Sequence, residues 1–300
     1  MQAFVLAAGY GTRLRPYTTL RPKPLFPVCN QPLVLRLLHQ LRQSGYAPVV
    51  VNCHHLAGQL VAALSGLPGV LLQEEDEILG TGGGLRRALP RLSPEPLLVI
   101  NGDLYHEVDP ALVHARHRSS GTAVTLALHD YPRFNVVTVQ GGLVRGFGDI
   151  GDQGDQDGER LAFTGIHVVD PAVLARIPAT GFFHIIDLYR QLAEEGLVGY
   201  ERVDGSMWRD IGTPADYLQL HGELLSGRGW LVDPAARLEA GVVLEDWGCI
   251  GSGAVVGAGA RLRRCVVWDG ARIPANAVCT DRILTGDPKI DAFPATGERP

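Results

Sequence analysis

The chain has 300 residues, of which 46% are hydrophobic and 20% charged, with a formal net charge of -5. That length supports one large domain or two modest ones with a sizeable core. No basic excess suggests a nucleic-acid surface, no polybasic run suggests anionic lipid, and no apolar run approaches the ~20 residues needed to span a bilayer. Five cysteines (Cys29, Cys53, Cys249, Cys265, Cys279) are scattered without C-x-x-C pairs, and their odd number argues against a disulfide framework. The first residues read as a strand rather than a signal peptide. A soluble, cytoplasmic protein is the expectation.

In chain order, Met1 to Leu6 is a short apolar run suited to one buried strand. A loop rich in glycine, proline and basic residues follows, and Pro32 to Leu41 then carries apolar residues at helical spacing. Ala47 to Asn52 predicts a strand, Leu56 to Leu64 a helix, Val70 to Gln73 a strand, and Gly84 to Leu89 the start of a helix. Leu97 to Ile100 is an apolar strand closed by Asn101-Gly102-Asp103; Pro110 to Arg118 reads as helix and Ala123 to Leu128 as strand. This rhythm predicts an α/β fold, a Rossmann-like mixed but mainly parallel sheet with helices on both faces. Ligands bind such sheets beyond the carboxyl ends of the strands. The Gly9–Lys23 loop and Asp103 both lie at that end.

Asn135 to Phe147 reads as a β-meander turning at Gly141-Gly142, and the acidic stretch 148–160 as a mobile solvated loop, with a substrate lid as the sharper alternative. Leu161 to Val169 predicts a strand and Ile185 to Glu195 a helix. Trp208-Arg209-Asp210-Ile211-Gly212-Thr213-Pro214 leads into a helix through Tyr217, Leu220 and Leu224, which Gly227-Arg228-Gly229 breaks. From there Leu244, Ile250, Val256 and Leu262 recur every six residues; the register slips by one, and Val267, Ile273 and Cys279 resume the spacing. Inward aliphatics at a six-residue period mark parallel β-helix coils. Three segments result: 1–228, the α/β domain; 229–285, a short coil; and 286–300, a tail expected to be frayed. About two coils are too few to stand alone, so the coil should pack on its own domain or on another subunit.

Residues that could carry chemistry cluster in a few places. Gly9 and Gly11 sit in a loop with Arg13, Arg15 and Lys23, where glycine lets backbone amides approach a polyphosphate without Cβ interference. Asp103 closes a strand, as an Asx turn or as a Mg²⁺ ligand. Asp210 has the same two kinds of reading, a cap for the Pro214 helix or a metal ligand. Cys53-His54-His55 reads as strand-end surface, and Glu74-Glu75-Asp76-Glu77 as a solvated loop.

The string from Leu6 through Ala7-Ala8-Gly9-Tyr10-Gly11-Thr12-Arg13-Leu14 to Pro22-Lys23-Pro24-Leu25 resembles, at every position, the signature of the sugar-1-phosphate nucleotidyltransferases. The tail is similar to the hexapeptide-repeat left-handed β-helix carried by some members. The resemblance implies attack by a sugar-1-phosphate oxygen on the α-phosphorus of an NTP, releasing pyrophosphate. It assigns Leu6, Ala7, Ala8, Gly9, Gly11, Thr12, Arg13, Thr81, Gly82 and Asp103 to the nucleotide. Arg13 would grip the triphosphate, Lys23 would neutralise the α-phosphate and the incoming sugar phosphate, and Asp103 and Asp210 would hold Mg²⁺. Lys23, Asn135, Thr164, Gly165 and Asp187 would face the sugar phosphate, although a capped helix start explains Asp187 equally well. The family's E-K-P segment is replaced here by Phe147-Gly148-Asp149, and its Tyr-Gly-Val by Phe134-Asn135-Val136, so the sugar stays open. Mannose-1-phosphate with GTP comes first among substrates, and UTP with a muramate- or glucose-type sugar-1-phosphate second. A non-catalytic regulatory homologue sensing nucleotide-sugars is the rival from another class. The expected partners are the two substrates and further copies of the chain, with no nucleic acid or membrane.

Overall fold

A computed structural model describes residues 1–148 and 158–293, so most of the acidic stretch 148–160 lies outside the described residues. The chain divides into two compact units: Met1–Gly9 with Val34–Trp208, and Tyr10–Leu33 with Arg209–Pro300. Its principal helices are α1 (Leu33–Gln43), α2 (Ala57–Leu64), α3 (Gly80–Ala88), α4 (Pro110–Ser120), α5 (Ile185–Glu194) and α6 (Pro214–Leu225). No helix among the described residues is long and apolar enough to cross a membrane.

The first unit is built on a nine-stranded sheet in the order 70–74, 49–53, 2–6, 97–101, 159–169, 124–129, 198–202, 143–147, 135–140. Gln2–Leu6 lies between two parallel partners, with Val5 opposite Val51 on one side and Ile100 on the other. Ala3, Phe4 and Val5 are fully buried, as a strand covered on both faces requires. The sheet is less parallel than its strand–helix rhythm suggests. Glu159–Val169 runs antiparallel to both 97–101 and 124–129, and the hairpin 135–140/143–147 joins antiparallel as well. Gly141 and Gly142, at φ 63° and 80°, make the tight hairpin turn, and Glu159 enters opposite Val139, continuing that antiparallel meander.

Helix α3 begins at Gly80, four residues before its expected start, and includes Gly82, Gly83 and Gly84. Packing overrides propensity here: a Cβ at Gly82 would lie 2.7 Å from the Phe183 ring, and one at Gly83 2.9 Å from the Gly181 carbonyl. His167 is a buried core residue set edge-on to the Tyr189 ring, and burial pushes its imidazole down to about 3, so it stays neutral.

In the second unit, two sets of short strands stack in parallel: 230–232, 243–250, 261–267 and 278–284, and separately 237–238, 255–256 and 272–273. Leu244 aligns with Leu262 and then Cys279, and Val256 with Ile273. The one-residue slip in sequence period thus falls within a stacked register. Ile250, Val256, Leu262, Val267 and Ile273 form the buried core of this stack. Glycines follow two of the inward aliphatics because neighbouring backbone passes close: a Cβ at Gly251 or Gly257 would lie 2.6 Å from the amide of Asp269 or Ala275. Truncating the fully buried Leu262 to alanine is expected to cost about 2–5 kcal/mol. Urea unfolding followed by tryptophan fluorescence measures this, since Trp230, Trp247 and Trp268 lie in this unit.

Of the segment expected to fray, 286–293 lies within the described residues and carries structure, and 294–300 lies outside them. Asp287 caps a short helix, Pro288–Asp291, and the fully buried Asp291 carboxylate accepts from the Thr285 and Gly286 amides at 2.9 and 2.7 Å.

Candidate active site

In the first unit the sheet's geometry places the loop entrance beside Asp103. Leu6 pairs in register with Asn101, and the Gly102 amide donates to the Leu6 carbonyl at 2.8 Å. Gly102 is needed for this approach, since a Cβ there would sit 2.8 Å from Val5 Cγ1 and 3.2 Å from the Leu6 oxygen. The half-buried Asp103 follows directly. Ala7 is buried, with its amide donating to Asn52 Oδ1 at 2.8 Å; Ala8 is half-buried, and Gly9 is exposed with open space where a Cβ would be.

Asn52 extends this support inward. Its amide donates to Glu75 Oε1 at 2.9 Å, and Gln73 Nε2 donates to the Gly84 carbonyl in α3 at 2.9 Å. Glu75 is therefore a buried network residue rather than part of a solvated loop, and its Oε2 has no hydrogen-bond partner among the described residues. Asn52 and Gln73 were missed as positioning residues; the visible signal was a polar residue ending each of two apolar strands. Cys53 is likewise buried, and His54 Nδ1 bonds the Glu75 carbonyl at 2.8 Å, so this pair is not surface.

Thr81 and Gly82 open α3 against the Phe183 segment. The Gly82 amide donates to the Phe183 carbonyl at 2.9 Å, and Thr81 Oγ1 accepts from the Ile185 amide at 3.0 Å. Asp187, in the first turn of α5, is exposed and bonds Arg190 at 3.0 Å. Thr164 is fully buried, and its hydroxyl donates to the Ala127 carbonyl at 2.8 Å. Gly165 at φ 77° faces Asn101, whose Nδ2 would lie 2.6 Å from a Cβ. Asn135 braces its own turn, accepting from the Tyr131 amide at 2.8 Å and donating to Asp130 at 2.7 Å. Tyr131 stacks on Phe134 beside it, and both rings meet Trp208 edge-on.

In the second unit Gly11, at φ 61°, caps the turn Thr12–Leu14, and a Cβ there would press to 2.9 Å from the Thr18 methyl. Leu14 is buried and anchors the turn, while the Thr12 and Arg13 side chains stay outside. Lys23 sits between Pro22 and Pro24 in a second turn, Lys23–Leu25, and is only 5% exposed. Both cations meet one carboxylate: Lys23 Nζ lies 3.5 Å from Asp210 Oδ1, and Arg13 Nη2 lies 3.4 Å from Asp210 Oδ2. Gly212 leaves room for this, since a Cβ would lie 2.5 Å from Arg13 Nη1. Asp210 does not cap α6; Thr213 does, accepting from the Asp216 amide at 3.2 Å. A buried ammonium and an exposed guanidinium around one carboxylate form a compact polar site matched to anionic phosphate oxygens.

The Nucleotidyl transferase family model matches residues 2–227. A mannose-1-phosphate guanylyltransferase of Mycobacterium tuberculosis is 30% identical over 310 residues, covering 93% of this chain and 82% of that protein. The catalytic subunit beta of the Danio rerio mannose-1-phosphate guanylyltransferase is 29% identical, covering 92% and 84%. Among solved structures, HddC from Yersinia pseudotuberculosis complexed with GMP-PN superposes with a TM-score of 0.63 at 22% identity, covering 74% of this chain and 99% of that one. The same α/β fold therefore underlies both. With its glycine loop and the cations around Asp210 lying inside the matched span, the chain belongs to the nucleotidyl transferase family.

Proposed function

We propose that the chain joins GTP to mannose-1-phosphate, with the sugar phosphate oxygen attacking the α-phosphorus to give GDP-mannose and pyrophosphate. The observation that carries this reading is the pairing of Lys23 and Arg13 on Asp210 within a loop that fills the family signature. The guanylyl and mannose assignments rest on the names of the relatives that align over most of the chain.

Nucleophile and electrophile are both anionic, so the work of the site is charge neutralisation and positioning. Arg13, exposed at the loop surface, grips the triphosphate and the departing pyrophosphate. Lys23, immobilised between two prolines, neutralises the α-phosphate and the incoming sugar phosphate. The attacking phosphate is already ionised and requires no general base. Gly9 and Gly11 let backbone amides reach the phosphates, and Thr81 and Gly82 border the base and ribose. Asn135, Thr164, Gly165 and Asp187 are assigned to the sugar side, Thr164 through its strand because its hydroxyl is engaged.

Asp103 and Asp210 are each assigned as a Mg²⁺ ligand. Carboxylate oxygens suit that hard cation, and the Asp210 contacts, at 3.4 and 3.5 Å, are longer than the ~2.7–2.9 Å of tight charge-assisted bonds. A Mg²⁺ held by these carboxylates would supply positive charge to offset that of the phosphates. The catalytic domain is read as 1–228, and the stacked strands of 229–285 as a short left-handed β-helix that supports self-association in the cytoplasm.

The test is pyrophosphate release with Mg²⁺ across a grid of NTPs and sugar-1-phosphates. GTP with mannose-1-phosphate should give the strongest signal. UTP with a muramate- or glucose-type sugar would favour the second reading, for which the Thr81-Gly82-Gly83-Gly84 run speaks. A blank grid in which nucleotides still raise the melting temperature would instead identify a regulatory sensor.

A further inference from the structure

Cys29, His221 and Cys249 are far apart in sequence, yet their ligand atoms all lie within 4.8 Å of one another. They come from three elements of the second unit: the turn joining Pro27–Val28 to Gln31–Pro32, helix α6, and the strand Val243–Ile250. We propose that these three residues form a binding site for a soft divalent metal ion, zinc by its chemistry, that staples the end of the Lys23 loop to α6 and the stacked strands.

The donor set is two thiols and one imidazole, the mixture that selects zinc over magnesium or calcium. In a tetrahedral zinc site such donors stand about 3.5–3.8 Å apart, so the observed cluster needs only small side-chain rotations to close. The imidazole is already oriented for it. His221 Nδ1 lies 2.9 Å from the Tyr217 carbonyl, which can only accept, so Nδ1 carries the proton and Nε2 keeps its lone pair. A metal-bound histidine is ordinarily held in this way, donating its other N–H to a carbonyl. That Nε2 lone pair faces the Cys29 backbone, whose amide reaches it at 3.2 Å. Metal binding exchanges this one hydrogen bond for a coordination bond.

The turn that carries Cys29 is itself held in place. Asn30 Nδ2 donates to the Ile250 carbonyl at 2.9 Å, so the residue after Cys29 is fastened to the residue after Cys249. The Tyr217 hydroxyl donates to the Pro27 carbonyl, and its ring packs edge-on against His221 at 4.6 Å. Cys29 has φ 48° and Asn30 φ 63°, the left-handed pair that a two-residue hairpin demands. Asparagine suits that turn, whereas cysteine does not, and a ligand role accounts for its presence. His221 and Cys249 are fully buried and Cys29 is half-buried, so entry and a fourth ligand position lie on the Cys29 side. A disulfide between the two thiols would leave the oriented imidazole without a role.

The experiment uses the full chain, purified under reducing conditions and stripped with a chelator, with zinc and cobalt(II) as probes. Expected results are about one zinc per chain, a raised melting temperature, protection of Cys29 and Cys249 from alkylation, and a sulfur-to-cobalt charge-transfer band. Cys29→Ser, at the half-buried position, should remove that band. It should also weaken zinc binding by more than the roughly 10–100-fold that losing an outer-shell partner costs. The wild-type titration and the alkylation map need no variant, so a folding failure in Cys29→Ser leaves them decisive. No cobalt band, with both cysteines equally alkylated in the presence and absence of zinc, overturns the proposal. So does a mass lower by two hydrogens with Cys29 and Cys249 recovered in one cross-linked peptide, which identifies a disulfide.

Discussion

Replacing Lys23 with methionine is expected to lower kcat for nucleotidyl transfer by about 10²–10³-fold, while the melting temperature moves little. Methionine keeps the length and apolar stem of a side chain that is 5% exposed, and removes only the ammonium. That ammonium lies 3.5 Å from Asp210 and is held there by the turn between Pro22 and Pro24. One charge pair at ~4 Å is worth about 1 kcal/mol in water but about 4 kcal/mol at the effective dielectric near a protein surface, and the latter corresponds to the expected rate loss. Because the phosphates crowd most in the transition state, kcat should fall more than KM rises. Stopped-time assays of pyrophosphate release over a range of nucleotide concentrations separate the two. A kcat within tenfold of wild type would take Lys23 out of the chemistry.

Asp103→Asn should have an effect of similar size through a different variable. The amide preserves shape and turn geometry at a half-buried position, so circular dichroism melting should be unchanged. It removes the negative charge that favours Mg²⁺, so the rate at ordinary Mg²⁺ should fall by about 10²–10³-fold, and raising the Mg²⁺ concentration should restore part of it. Initial rates across a Mg²⁺ titration measure this. Full activity at low Mg²⁺ would remove Asp103 from the mechanism.

Strand and helix positions were legible because burial leaves a period in the sequence: Gln2–Leu6, Val49–Cys53, Leu97–Asn101 and α5 fall where their apolar residues do. Strand direction leaves no such trace. Glu159–Val169 would read the same parallel or antiparallel, and only its pairings, with Leu97–Asn101, Val124–His129 and Asn135–Gln140, decide. The start of α3 was hidden because three glycines argue against a helix, and the reason they are tolerated, the close backbone of 181–183, is distant in sequence. The cation loop was legible as a contiguous motif, and Asp210 as a helix cap or a metal ligand, a choice that only the resemblance weighted towards the metal. Glu75 read as solvated because its neighbours Glu74, Asp76 and Glu77 are acidic, whereas its Asn52 and Gln73 partners draw it inward. The Cys29, His221 and Cys249 cluster has no linear spacing to recognise.

The segment Tyr10–Leu33 belongs to the same compact unit as the end of the chain. Phe26 meets the Trp268 ring at 5.0 Å, and Arg21 bonds the Asp269 carboxylate at 2.7 and 3.0 Å. On a ribosome adding about 5–20 residues each second, those partners emerge on the order of ten to fifty seconds after the segment they complete. During that interval the nascent chain carries Arg13 and Lys23, the cations proposed to meet the nucleotide, on an unfinished scaffold, while the strands of the first unit are already available to pair. The compact unit that holds this loop is therefore completed last in synthesis, although the loop itself is made first.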